Sequence, residues 1–198
     1  MKKHLPSNAI VVPDTAKKVF TGQIFDVYQW PQPMFDGSTK TFEMLRRPDT
    51  LQVVGLHGDK VVIVEDEQPG RKPRIHFPGG RLDAVDISWE QGAQREMKEE
   101  TGMAFKTWRL IDVQQPLPKA EWFVPWYLAT DFLQSEDQNL DEDGEKIKVL
   151  EVGYEELRKK VLSGEEPTMQ YAVPLFLKCP RLADLLALPE FVGKEVDR

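Results

Sequence analysis

The sequence predicts an α/β or α+β fold with mixed sheets, and three observations carry that expectation. Short segments rich in β-branched and aromatic residues fill the first third of the chain. One helical segment with readable ends follows, spanning about 88–102. More strand segments and then two helical ones complete the order, with no internal repeat.

VFTGQIFDVYQW (19–30) alternates as a strand does, and FDGSTKTFEMLRR (35–47) places Asp36-Gly37 as a turn before another strand. Such a hairpin suits an appendage or a dimer arm. TLQVVGLHGDKVVIVEDEQ (50–68) sets two apolar runs around His57-Gly58-Asp59, a second hairpin. EDEQPGRKPRIHFPGGRLD (65–83) reads as loop, broken at Pro69-Gly70 and Pro78-Gly79-Gly80. Ser88 is a candidate N-cap with Gln91 three residues on, and Gly102 is the helix stop. FKTWRLIDVQQ (105–115), EWFVPWYLATDF (121–132) and KIKVLEV (146–152) are strand candidates. YEELRKKVLSG is a helix ending at Gly164, and 168–192 is mostly helical, interrupted by Pro174 and Pro180.

Composition narrows the function. The chain has 198 residues and a formal net charge of −7. No basic stripe is present, which argues against nucleic-acid binding, since that needs Lys and Arg to neutralise phosphates. An acidic protein that meets an anionic substrate usually does so through a metal. Cys179 is the single cysteine, so no intramolecular disulfide forms, and it reads as a small core hydrophobe. No stretch approaches the ~20 apolar residues of a membrane span, and Pro13 cuts short the apolar run near the N-terminus. A soluble cytoplasmic protein without a membrane partner is expected.

The stretch REMKEETGM (95–103) is the most informative. At about 100° per residue, with Glu96 at zero, Glu99 lies near −60° and Glu100 near +40°. Trp89, Ala93, Met97 and Met103 share that arc, while Gln94, Lys98 and Thr101 take the opposite side. Carboxylates within an apolar stripe are costly unless compensated. A Glu-rich helix more often shows its acids to solvent; here the overlap with the apolar arc favours a divalent cation. Mg²⁺ prefers oxygen ligands of this kind, and Mn²⁺ is its usual substitute.

These residues resemble the signature of the Nudix hydrolases, G-x5-E-x7-R-E-U-x-E-E-x-G-U with U apolar. From Arg95 to Met103 every specified position matches. The first half departs: Asp86 stands where the family has Glu, and eight residues rather than seven separate it from Arg95. TFEMLRRPDTLQVVGL, HFPGG and QPLPKAEWFVPWYLATDF look like segments of the branch that hydrolyses ADP-ribose and other nucleoside diphosphate sugars. In that branch a proline about sixteen residues beyond the box is a marker; Pro118 comes at fifteen.

The resemblance implies a Nudix-type α/β/α sandwich over 48–198, and an N-terminal β-strand arm over 1–47 that contacts a second copy in a homodimer. It implies Mg²⁺-dependent hydrolysis of a nucleoside diphosphate sugar to a nucleoside monophosphate and a sugar phosphate, ADP-ribose being the first candidate. Glu96, Glu99 and Glu100 are the expected metal ligands, with the Gly79 carbonyl beside them. Arg95 holds a carboxylate or the glycine loop in place. The general base stays open between Glu99 and the acidic loop, where Glu145 leads Glu142 and Asp143 and a plain solvated role for Glu145 is as good a reading. Arg46, Arg47 or Arg71 are candidates for phosphate, Gly80 for a substrate contact, and Trp30 for the nucleobase, with Tyr28, Phe42 and Trp126 as alternatives. A dinucleotide or RNA-cap hydrolase, and a catalytically silent nucleotide-sugar sensor, are the competing readings. His76 lacks a His or Cys partner in the sequence nearby, which argues against zinc.

Overall fold

The computed structural model describes residues 1–68, 70–139 and 146–197. Its strands are β1 (Lys2–Leu5), β2 (Lys17–Thr21), β3 (Asp26–Pro33), β4 (Thr39–Arg46), β5 (Gln52–His57), β6 (Lys60–Glu67), β7 (Arg74–His76), β8 (Met103–Gln114), β9 (Ala120–Glu121), β10 (Val124–Ser135), β11 (Lys146–Gly153) and β12 (Lys194–Asp197). The helices are α1 (Trp89–Thr101), α2 (Tyr154–Ser163), α3 (Val173–Lys178) and α4 (Leu182–Leu186), with a 3-10 turn over Pro167–Ala172.

Six strands form the central sheet in the order β11-β6-β5-β10-β8, with β7 also on β6. β10 runs parallel to β5, and the other pairs are antiparallel, so the sheet is mixed. Strand alternation sorts the apolar side chains onto its two faces. Val53, Val62, Tyr127 and Ala129 pack with Trp89, Ala93 and Met97 of α1. Their neighbours Val54, Val61, Ile63, Trp126 and Leu128 face the other way, toward Leu157, Val161, Leu175, Phe176 and Leu185 of the later helices. Each fully buried Leu, Val or Phe contributes about 1.5–3 kcal/mol, so continuous apolar runs like VVIV are stable only between two covering layers. The result is an α/β/α sandwich with mixed sheets.

The helix signals act as expected, with one shift. Ser88 Oγ accepts the Gln91 N–H at 3.1 Å, and Gly102 ends α1 at φ 71°. The Gln91 side chain reaches back to the Ile87 N–H at 2.7 Å rather than to the cap residue. Thr101, assigned by periodicity to the polar face, is buried, because α1 runs directly into β8 there and its hydroxyl donates to Met97 O. The loop reading of 65–83 needs correction too: β7 pairs with β6 through Val64↔His76 and Asp66↔Arg74. Pro174 starts α3 instead of interrupting a helix, as its fixed φ suits a first turn.

A second sheet runs β2-β3-β4-β9, so the N-terminal hairpin joins a short strand that follows β8. Asp36 Oδ1 accepts from the Ser38 N–H at 2.9 Å and Gly37 takes φ 80°, closing the β3–β4 turn. β1 pairs antiparallel with β12, a two-stranded ribbon with no apolar run on either side to announce it. Among the described residues no helix is long and apolar enough to cross a membrane.

Candidate active site

The loop after β7 fastens itself to the edge of the core. Leu51 N–H donates to Gly80 O at 2.7 Å, and Val53 N–H to Pro78 O at 2.9 Å. Between them Gly79 adopts φ 146°, and a Cβ there would collide with the Leu51 carbonyl, so only glycine fits. The Gly79 N–H donates to Glu100 Oε2 at 2.9 Å, which ties loop to helix. A Cβ on Gly80 would come within 2.5 Å of Glu96 Oε2, so this glycine also makes room for a carboxylate.

A cleft of about 510 Å³ opens at this junction. Glu96, Glu99, Glu100, Gly79, Gly80 and Arg95 all line it. The Glu96 side chain is only 13% exposed and that of Glu99 34%, so these acids flank the buried stripe of α1 and do not splay into solvent. Arg95 sits among the acids. It donates to Asp86 from Nε at 3.1 Å and Nη2 at 3.0 Å, and to Glu99 Oε2 from Nη1 at 2.8 Å. Its Nη2 also lies 3.0 Å from Glu96 Oε1 and 3.7 Å from Asp83 Oδ2.

One guanidinium shared among four carboxylates leaves the group strongly negative. Burial pushes the Glu96 carboxyl up to about 7; the attraction of Arg95 offsets this only in part, and Glu99 and Asp83 add to it. At Asp86 burial acts upward as well, but the Arg95 hydrogen bonds and the Asp83 N–H outweigh it and hold the acid below its ordinary range. Arg95 itself is pushed further up, first by its bond to Asp86.

Among the described residues no three acidic, His or Cys side chains are grouped as a ready metal cage, since Arg95 occupies the space between the glutamates. The donor set nonetheless fits a hard cation: carboxylate oxygens on one helix, a close-approach glycine loop, and a half-buried Glu96 whose charge its neighbours do not fully compensate.

The structure separates the remaining sequence candidates. Arg46 turns away from the cleft, onto Glu121 at 3.0 Å and over the Tyr28 ring at 4.5 Å. Its neighbour Arg47 lines the cleft instead, stacked 4.6 Å from the centroid of Trp122. This follows from strand alternation: adjacent residues at the end of β4 face opposite sides. Arg71 is exposed and absent from the cleft lining; Arg74 takes that place. Trp30 is buried with Val12 and Met44 in the N-terminal sheet, its Nε1 donating to Gln32. Trp126 is fully buried in the core. Glu142, Asp143 and Glu145 lie outside the described residues.

Sequence reasoning missed Asp66, Arg81, Asp83 and Ile24 as lining residues. Asp66 sits between Glu65 and Glu67 at the end of β6, where strand alternation turns it inward; it is 3% exposed and holds Arg74 at 2.6 Å. Arg47 and Arg81 are near enough that burial and then Arg81 depress the Arg47 pKa, the electrostatics of a place that favours an anion.

Comparison with known proteins bears on the fold and the family. No curated protein matches the chain. A solved structure described as an ADP compounds hydrolase superposes with a TM-score of 0.61 at 16% identity, covering 82% of this chain and 91% of that one, a likeness of fold alone. The NUDIX domain model matches residues 46–172, which take in β5, the glycine loop, α1 and the strands beneath it, so this chain belongs to the Nudix family.

Proposed function

We propose that the protein is a Mg²⁺-dependent hydrolase of nucleoside diphosphates linked to a second moiety, with ADP-ribose as the first substrate to try. The observation that supports it most is the meeting of Glu96, Glu99 and Glu100 with the Gly79–Gly80 loop in one cleft that Arg47, Arg74 and Arg81 also line. Acids and arginines lining one cleft suit a metal and the phosphoryl oxygens it would share. The fold likeness to an ADP compounds hydrolase supports starting with an adenosine compound.

In this reading Glu96, Glu99, Glu100 and the Gly79 carbonyl hold the metal. When bound, Mg²⁺ polarises the phosphoryl oxygens and lowers the pKa of a bound water. Arg47, Arg74 and Arg81 orient the diphosphate against α1. A water oxygen bonds to phosphorus, the bridging P–O bond breaks, and the water proton passes to a carboxylate. Glu99 or an acid of the 142–145 segment takes that proton. Asp86 positions Arg95, and Arg95 positions Glu99. Residues 1–47 serve as an arm toward a second copy, giving a homodimer.

The test is product identification from ADP-ribose, GDP-mannose, UDP-glucose and dinucleotides with and without Mg²⁺. Metal-dependent release of a nucleoside monophosphate and a sugar phosphate is expected. Turnover unaffected by Glu99→Gln and Glu100→Gln in folded protein would remove the mechanism.

A further inference from the structure

Arg47 stands apart from the other arginines of the cleft. Arg74 meets Asp66 at 2.6 Å, Arg81 meets Asp83 at 3.4 Å and Arg95 meets Glu99 at 2.8 Å. Among the described residues no carboxylate bridges Arg47. Its hydrogen bonds there go to neutral oxygens, from Nε to Pro48 O and from Nη2 to Thr50 Oγ1, both at 3.3 Å. A guanidinium carries five N–H groups, so more are left to an incoming acceptor than are used.

Sheet register explains what holds this side chain. β3 and β4 run antiparallel with Asp26 opposite Arg46, and β4 and β9 run parallel with Arg46 beside Glu121. Both ladders extended by one residue place Arg47 between Phe25 and Trp122. Its guanidinium carbon lies 4.6 Å from the Trp122 ring centroid and 5.5 Å from that of Phe25. At such distances the negative face of a ring attracts a cation. Thr50 Oγ1 takes the Trp122 indole N–H at 3.0 Å as well as the Arg47 N–H, so one hydroxyl fixes ring and cation together. Phe25 comes from the β2–β3 turn, where its carbonyl accepts the Gly22 N–H at 3.0 Å, and its neighbour Ile24 lines the cleft. The Phe25 ring is half-exposed and belongs to none of the buried apolar clusters, so packing alone does not account for its place.

Rings hold a guanidinium without cancelling its charge. A carboxylate partner would compete with an entering anion; an aromatic face does not. Burial and then Arg81 work against the charge on Arg47, with Asp49 acting the other way, so an anion arriving here relieves a cation that is poorly compensated.

We infer that Phe25 and Trp122 are positioning residues that hold the Arg47 guanidinium, with its charge uncancelled, as a preformed clamp for a diphosphate, so that the N-terminal sheet completes the cleft. The inference rests on the reading that this cleft takes phosphates. Neither ring is assigned a contact with the reacting atoms.

Inorganic pyrophosphate is the probe, titrated calorimetrically in Mg²⁺ into wild type, Phe25→Leu, Arg47→Gln and the double variant. Phe25→Leu should weaken binding at least roughly threefold, and Phe25→Tyr should restore it. In the Arg47→Gln background the same Phe25→Leu change should have no effect, since the ring then has no cation to hold. A ring with a purely structural role would weaken both backgrounds alike, and that result overturns the inference. So does a wild-type protein that binds no pyrophosphate, or binds it no better than Arg47→Gln. Arg47→Lys leaves Phe25 untouched and keeps the charge without the planar group that stacks; wild-type affinity in that variant also overturns the inference. A protein that shows the expected coupling yet leaves nucleoside diphosphate sugars intact removes the hydrolase reading and keeps the clamp.

Discussion

Arg95 and Asp86 are joined by two hydrogen bonds, Nε to Oδ1 at 3.1 Å and Nη2 to Oδ2 at 3.0 Å. Asp86 stands where the Nudix signature has a glutamate, and its loop is one residue longer. The shorter carboxylate nonetheless reaches the arginine with both of its oxygens. Gly92 faces it, and a Cβ there would lie 2.9 Å from Asp86 Oδ2, so the fit is tight.

Asp86→Ala should therefore destabilise the protein by about 2–4 kcal/mol, since it leaves the arginine without its bidentate partner. Metal-dependent turnover should fall as well, because Arg95 loses the anchor that fixes where it holds Glu96 and Glu99. Urea unfolding followed by circular dichroism checks the first effect. A midpoint equal to wild type would show the pair to be idle.

Glu96 makes the metal-free protein sensitive to pH. Burial raises its folded-state pKa to about 7 from the ordinary 4.5. The folded chain then binds this proton more tightly than the unfolded chain does. Its contribution is full below about 4.5 and is lost as the pH rises through about 7. Chelated protein should lose stability between about pH 4.5 and 7, and Glu96→Gln should flatten that decline. Parallel declines in both proteins would assign the pH effect elsewhere.

Gly79→Ala should be more damaging than most alanine substitutions. It imposes a Cβ at φ 146° against the Leu51 carbonyl and breaks the alignment of the N–H that meets Glu100. A loss of about 2 kcal/mol or more is expected from strain and displaced hydrogen bonds. Differential scanning calorimetry reads it, and unchanged melting would mean the loop is not fixed as described.

The N-terminal sheet predicts association. β2 is exposed along its whole length, and Val19, Phe20, Ile24 and Phe25 present apolar surface there. A second copy covering this face gives the proposed homodimer, and Phe20→Glu should convert it to monomer in light scattering. A monomeric wild-type mass would dismiss the interface.

The legible parts of the molecule were those with local signals. Asp36-Gly37, Ser88 with Gln91, and Gly102 each specify a backbone shape within a few residues, and each sits where the sequence placed it. The inward turn of Glu96 and Glu100 could be read because it needs only the helical period. Pairings between distant segments could not. β7 is three residues long and gains its identity from β6, and β1 and β12 have no apolar face of their own. The choice of Arg47 over Arg46 depended on where β4 ends, and which acid of Glu65-Asp66-Glu67 turns inward depended on the register of β6.

The ribbon of β1 and β12 joins Lys2 to Asp197, partners separated by nearly the whole chain. Lys3 on that ribbon holds Asp49 at 2.7 Å, and Asp49 in turn takes the Trp89 indole N–H at 2.8 Å and the Phe123 N–H at 2.9 Å. Closing so long a loop is entropically slow and comes after local pairing. β1 must therefore wait for β12, and the root of α1 receives its Lys3–Asp49 brace only after that long-range pairing has formed.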